Sequence, residues 1–233
     1  MMNSDLKIIS VLLSYPTEEI QQAGGLLRTT LEQLSDLDKV QIDGLKTLIS
    51  SVTDRDIYDV QEDYVLLFDR TRSLSLHLFE HVYGENRDRG QAMVDLKTMY
   101  EEAGFEIDVH DLPDYLPMFL EFLSTRSNEE AKHLLGETLH IISAIRQRLQ
   151  KRGSPYAAAF TAIEQLAGVT ADEALVAEIV ARKEDDPNDL VALDRIWEEE
   201  AITFGANQGD NDCGPDRLQR RIRASHRDAS AQI

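Results

Sequence analysis

Residues 127–153, SNEEAKHLLGETLHIISAIRQRLQKRG, carry the longest uninterrupted helical signal in the chain and decide its fold class. Ser127 followed by Glu130 forms a capping box, in which the serine hydroxyl accepts from the backbone N–H at 130 while the glutamate reaches back. Behind it, Leu134, Leu135, Leu139, Ile142, Ile145 and Leu149 recur along one helical face, and Gly153 provides the stop.

The same punctuation repeats on both sides of this helix. Downstream, Ser154-Pro155 restarts the chain as cap and first helical residue, and Gly168 ends that helix. Thr170 and Glu173 repeat the box ahead of a helix running to about 183, and Asp186-Pro187 breaks it before another over 190–204. Upstream, Ser4 caps a helix over about 5–14 that Pro16 ends, and Thr17 with Glu18 and Glu19 opens the next. Val40, Ile42, Leu45, Leu48, Ile49 and Val52 keep a helical period, as do Ile57, Val60, Tyr64, Leu67 and Phe68. No β-hairpin dipeptide sits between alternating runs. The expected fold is all-α, a single compact bundle of about nine or ten helices over 1–204. Gly, Asn, Asp and Ser then replace the apolar stripe, and the polar tail over 205–233, with Arg217, Arg220, Arg221, Arg223 and Arg227, is expected to be mobile.

Composition limits the function. A chain of 233 residues with 42% apolar and 29% charged residues is a soluble globular type, and its apolar runs are too short to span a bilayer. The start, Met1-Met2-Asn3-Ser4-Asp5-Leu6-Lys7, shows no secretory signal, so the expected location is the cytoplasm. A net charge of −19 opposes nucleic acid, which needs clustered cations, and favours basic peptides. The single cysteine, Cys213, is read as an incidental thiol.

One short motif suggests metal chemistry. His77-Leu78-Phe79-Glu80-His81 fits H-x-x-E-H, where two imidazoles on one helical face bind zinc and the carboxylate activates water, so a zinc hydrolase is one alternative. Against it, Leu74, Leu76, Leu78, Phe79 and Val82 are apolar on several sides, which predicts a helix buried in the bundle. His81 and Glu80 then serve as satisfied polar groups, with Arg87 or Arg72 as candidate partners. No catalytic residue, metal or cofactor is assigned.

The same region carries a resemblance. Tyr64-Val65-Leu66-Leu67-Phe68, Phe68-Asp69-Arg70, Leu78-Phe79-Glu80-His81-Val82, Gly84-Glu85 and Arg87-Asp88-Arg89-Gly90-Gln91-Ala92-Met93 are followed by Leu112-Pro113-Asp114-Tyr115-Leu116-Pro117 and Leu193-Asp194-Arg195-Ile196-Trp197-Glu198-Glu199-Glu200. Together, over about 5–204, these resemble the NarJ-type assembly chaperones (delta subunit) of respiratory nitrate reductase, within the NarJ, TorD and DmsD group of redox-enzyme maturation proteins. Where the wider group has E-P-D-H, this chain keeps Pro113 and Asp114 but has Tyr115 for the histidine, and no nucleotide is expected. The resemblance implies a cytoplasmic chaperone that binds the N-terminal segment of the apo catalytic (alpha) subunit and keeps it competent for molybdenum cofactor insertion and complex assembly. Cofactor delivery proteins are a further implied partner class, and a structural adaptor for another basic helix is the remaining alternative.

An amphipathic leader helix would lay its apolar face in a groove between bundle helices. Four buried anchors contribute about 6 to 12 kcal/mol. Ordering the leader costs about 2 to 5 kcal/mol, which leaves a dissociation constant near micromolar. The candidate groove has Tyr64, Leu67, Phe68, Leu76 and Phe79 on one wall and Tyr115, Met118, Phe119 and Phe122 on the other, with ordinary core packing as the alternative for each. Asp69, Glu80, His81, Asp114 and Glu121 complete the candidate peptide-binding set, the carboxylates attracting basic residues of the leader.

Overall fold

The computed structural model describes residues 2–70, 72–83, 87–108 and 112–182. The expected helix over 190–204 and the tail over 205–233 lie outside the described residues. In chain order the elements are α1 (Met2–Leu13), α2 (Glu18–Gln22), α3 (Gly24–Leu34), α4 (Lys39–Thr53), α5 (Ile57–Phe68), a 3-10 turn (Arg72–Leu74), α6 (Glu80–Tyr83), α7 (Arg87–Glu102), α8 (Leu116–Ser124), α9 (Asn128–Lys151), α10 (Ala157–Ala167) and α11 (Glu173–Ala181). The fold is all-α, as expected; its eleven described helices include the single turn of α6 and a helix pair, α2 and α3, split at Ala23. Among the described residues the one extended pairing is an isolated antiparallel bridge between His77 and Tyr115.

The strongest local signals translate directly. Ser127 Oγ accepts from the backbone N–H of Glu130 at 3.2 Å and starts α9, whose whole expected stripe from Leu134 to Leu149 is buried. Beyond its end, Gly153 adopts φ +65°, a left-handed conformation that only glycine reaches cheaply. Asp38 and Asp56 cap α4 and α5, and the stripes Leu45, Leu48, Ile49, Val52 and Val60, Tyr64, Phe68 turn inward.

Several expected boundaries move. α1 already begins at Met2, with Ser4 inside it. α11 is capped by Asp172, whose carboxylate accepts from the N–H groups of Ala174 and Leu175, rather than by Thr170, which lies too far upstream of the first turn. Ser154-Pro155 forms a turn instead of the first helical turn, and α10 starts at Ala157. Val40 is an exposed residue of α4 and contributes nothing to the core.

Packing follows the stripes. α1 runs along α8 and α3, its Leu6, Ile9 and Leu13 fully buried and its Ser10 hydroxyl donating to the carbonyl of Pro117 at 2.7 Å. α9 lies against α10 and α11, and α10 is backed by α4, so one continuous core joins both ends of the described chain. A cation stands within that core. Arg148 is buried on α9 and donates to the carbonyls of Ser73 at 2.7 Å and Ile179 at 2.7 Å, tying the 3-10 turn and α11 to the central helix. No helix among the described residues is long and apolar enough to cross a membrane.

Candidate functional site

Two blocks distant in sequence, around Tyr64–Glu80 and Pro113–Met118, meet at one junction. The N–H of Leu78 donates to the carbonyl of Asp114 at 3.0 Å, and the N–H of Leu116 to that of Leu76 at 2.8 Å. Asp114, fully buried, accepts at Oδ2 from the Phe79 N–H at 3.0 Å, while Oδ1 lies 3.2 Å from His77 Nδ1. Tyr100 donates its hydroxyl proton to the carbonyl of Pro113 at 2.8 Å, fastening α7 to the same loop. The Tyr64 hydroxyl is 2.8 Å from the Leu13 carbonyl and 3.0 Å from the Tyr115 hydroxyl. Because a carbonyl only accepts, Tyr64 spends its single proton there and Tyr115 is the donor between the tyrosines.

The two histidines of the junction have opposite environments. For His77, burial opposes the charged ring, but the hydrogen bond and charge of Asp114, with Glu80 adding to them, outweigh it and raise its pKa above the ordinary value. For His81, burial dominates and lowers the pKa. Its Nε2 lies 2.8 Å from the Ser75 carbonyl and therefore carries the proton of a neutral ring.

This geometry corrects the metal motif. His77 belongs to the extended bridge and His81 to α6, so the two imidazoles do not share a helical face. The helix expected through 74–82 is replaced by a 3-10 turn, an extended stretch and the single turn of α6, because Asp114 captures the backbone N–H of Phe79. Each imidazole already has a protein partner, and among the described residues no group of three or more His, Cys, Asp or Glu side chains is placed to hold a metal ion. Glu80 pairs with Arg89 at 3.0 Å.

The structure sorts the candidate peptide-binding residues by accessibility. Tyr64, Phe68, Leu76, Phe79, His81, Asp114, Phe119 and Phe122 are buried; Leu67, Glu80, Tyr115, Met118 and Glu121 are half-buried; Asp69 is exposed. Tyr64, Phe68 and Tyr115 come together with Tyr15 and Tyr156, the Phe68 and Tyr156 rings meeting edge to face at 5.0 Å. Phe122 packs instead against Tyr100, at 4.7 Å, and Phe105, beneath Arg126. Glu121 is paired with Lys7.

Beside this aromatic group a cavity of about 300 Å³ opens between the end of α4, α5 and the turn before α10. Val52, Val60, Leu66, Leu67 and Tyr156 line it, and the Arg55–Asp63 ion pair, half exposed at 2.7 Å, completes its lining. The hydroxyl of Tyr156 is buried there with no hydrogen-bond partner, and its pKa is raised by burial and by Asp63. On and beside α5, Asp56, Asp59, Glu62, Asp63 and Asp69 are exposed against Arg55 and Arg70, so the α5 segment carries net negative charge. Tyr156 and Arg148 were absent from the sequence-based set. Arg148 could have been found as a charge within the apolar stripe of α9, next to Ile145 and Leu149.

Comparison with known proteins bears on this scaffold. The model of a family described as nitrate reductase delta subunit matches residues 31–162. The chain is 39% identical over 220 residues to the nitrate reductase molybdenum cofactor assembly chaperone NarJ of Escherichia coli strain K12, covering 94% of this chain and 92% of that protein. It is 37% identical over 204 residues to the probable nitrate reductase molybdenum cofactor assembly chaperone NarW of the same strain, covering 85% and 83%. A solved structure from Archaeoglobus fulgidus, described as a redox enzyme maturation protein, shares the fold with a TM-score of 0.53 at 21% identity, over 72% of this chain and 95% of that one. Matched by the family model over more than half its length and by both bacterial relatives over most of it, the chain belongs to the nitrate reductase delta subunit family.

Proposed function

We propose that this protein is a molybdenum cofactor assembly chaperone for nitrate reductase, which holds the apo catalytic subunit in the cytoplasm until the cofactor is inserted and then leaves. The observation that carries this reading is the 39% identity, sustained over 94% of the chain, to an assembly chaperone of that name. Such a role requires a surface for an unfinished client rather than a reacting group, and release follows once the folded client is favoured by a few kcal/mol, on the order of a hundredfold shift or more.

The finer reading is that the N-terminal segment of the catalytic subunit docks as an amphipathic helix along the acidic face of α5. Three features support that placement. Leu67 lines the cavity beside α5, Tyr115 and Met118 lie half-open at the start of α8, and the Tyr156 hydroxyl has no partner within the protein. Asp69 adds negative charge toward a basic leader, Glu80 and Glu121 being engaged by Arg89 and Lys7, while Tyr64, Phe68, Leu76, Phe79, His81, Asp114, Phe119 and Phe122 hold the shape of the surface from beneath. Cofactor delivery proteins enter as partners of the loaded complex.

Calorimetry with the N-terminal peptide of a nitrate reductase catalytic subunit tests this. Binding near micromolar, weakening as salt rises, is expected. Leu67→Arg should lower affinity at least tenfold while the melting temperature stays put, about 1.4 kcal/mol of binding. Unchanged affinity removes Leu67 from the contact, and no peptide binding at all rejects the N-terminal segment as the recognised element.

A further inference from the structure

The cavity beside α5 contains a polar group that packing alone does not explain. Tyr156 is only 4% exposed, yet its hydroxyl has no hydrogen-bond partner among the described residues. Its polar neighbours in the lining are engaged. The Ser51 hydroxyl donates to the Leu48 carbonyl at 2.7 Å, the Ser154 hydroxyl accepts from the Tyr156 N–H at 3.3 Å, and Arg55 donates to Asp63 at 2.7 Å. Phe68 and Tyr64 meet the phenol ring edge-on at 5.0 and 6.3 Å and confine it against the cavity. Burying a donor in this state is destabilising, and native proteins tolerate it where the group has another use.

The surroundings of the phenol define the chemistry of its partner. Burial and the charge of Asp63 raise its pKa, so it stays protonated and requires an acceptor oxygen. An ammonium or guanidinium has no acceptor to offer. A carboxylate has one, but it would enter beside Asp63, with Asp59 and Glu62 exposed on the same helix and Arg55 already paired. A neutral oxygen on an apolar stem satisfies the phenol and also suits walls made by Val52, Val60, Leu66 and Leu67.

We propose, resting on the client reading above, that this cavity is the anchor socket for the client's segment and takes one neutral amide or hydroxyl side chain, whose oxygen accepts the proton of Tyr156. The socket selects as well as seats. An apolar side chain of the same shape would seal the phenol from water without a partner, and is therefore rejected.

Tyr156→Phe separates this role from packing by the sign of two effects. Removing a hydroxyl that has no partner should leave the melting temperature unchanged or raise it. Calorimetry with the N-terminal peptide of a nitrate reductase catalytic subunit should meanwhile show affinity lowered about tenfold. The peptide's own amide and hydroxyl residues are then replaced one at a time, Gln by Met, Asn by Leu, Thr by Val and Ser by Ala. One replacement should lower affinity by a similar factor, and against Tyr156→Phe it should have no further effect. Peptide binding that none of these changes alters overturns the inference and leaves the client reading standing, whereas a peptide that does not bind at all overturns it together with the placement of the N-terminal segment. A lowered melting temperature with unchanged affinity shows the hydroxyl already satisfied by solvent, and self-association that Tyr156→Phe abolishes assigns the socket to a second copy; either result also overturns it.

Discussion

α9 and the stretch 72–83 touch at Arg148, yet they are held by different physics. In α9 a capping serine, a continuous apolar face and a closing glycine all act within 127–153, and each backbone bond is made a few residues away. In 72–83 the deciding bonds come from far along the chain: Asp114 takes the N–H of Phe79, Leu116 reaches the carbonyl of Leu76, and Arg148 takes the carbonyl of Ser73. The first region is a local structure that tertiary packing rewards. The second is a tertiary structure with little local preference of its own, and a single buried carboxylate organises it.

The contrast can be broken from either side. Ile142→Ala empties a fully buried site on α9 and should cost about 4 kcal/mol in urea unfolding, with the far-ultraviolet helical signal preserved because the helix itself does not depend on that side chain. Asp114→Ala should cost about 3 kcal/mol, since two hydrogen bonds to a buried carboxylate disappear and the Phe79 N–H loses its acceptor. Here hydrogen exchange over 75–81 should accelerate well beyond that of α9; a uniform change across both regions would show that the junction has no separate cooperativity. Tyr115→Phe removes the donor to Tyr64 and should cost about 1 kcal/mol. A loss of similar size, about 1 kcal/mol, is expected from Ser127→Ala through the α9 cap, with exchange faster only in the first turn.

Acidity gives the smallest and most selective effect. His77 has a raised pKa in the folded protein, so its stabilising charge is complete below about 6.5 and is lost as pH climbs through the folded value. His81 has a lowered pKa, so stability falls as pH drops below about 6.5 toward the folded value, where protonating the buried ring becomes unavoidable. His77→Gln should flatten the alkaline side of the stability profile and His81→Gln the acidic side, measured by chemical unfolding across pH. An acidic limb that survives His81→Gln would locate the sensitive group elsewhere.

How much of this was readable in advance follows the same division. The stripe of α9, the caps at Thr17 and Ser127 and the glycine stops needed only neighbouring residues, and they stand as expected. The H-x-x-E-H spacing at His77–His81 looked helical for the same local reason, and failed because Asp114 and Tyr115 compete for that backbone from a loop far along the chain. The block around Tyr64–Phe79 and Pro113–Met118 was visible as a unit by resemblance. Which of its members face solvent was not, because alternation of apolar residues is the same for a groove wall and a core wall.

Local chemistry alone was enough to make the chain helical and acidic, since period, caps and charge are properties of short windows and of composition. Only the folded molecule could choose which aromatic side chains to bury, bring Asp114 beneath His77 and leave the Tyr156 hydroxyl without a partner beside α5. Those choices depend on which distant groups arrive within hydrogen-bonding distance once the apolar stripes have packed, and no window of sequence contains that information.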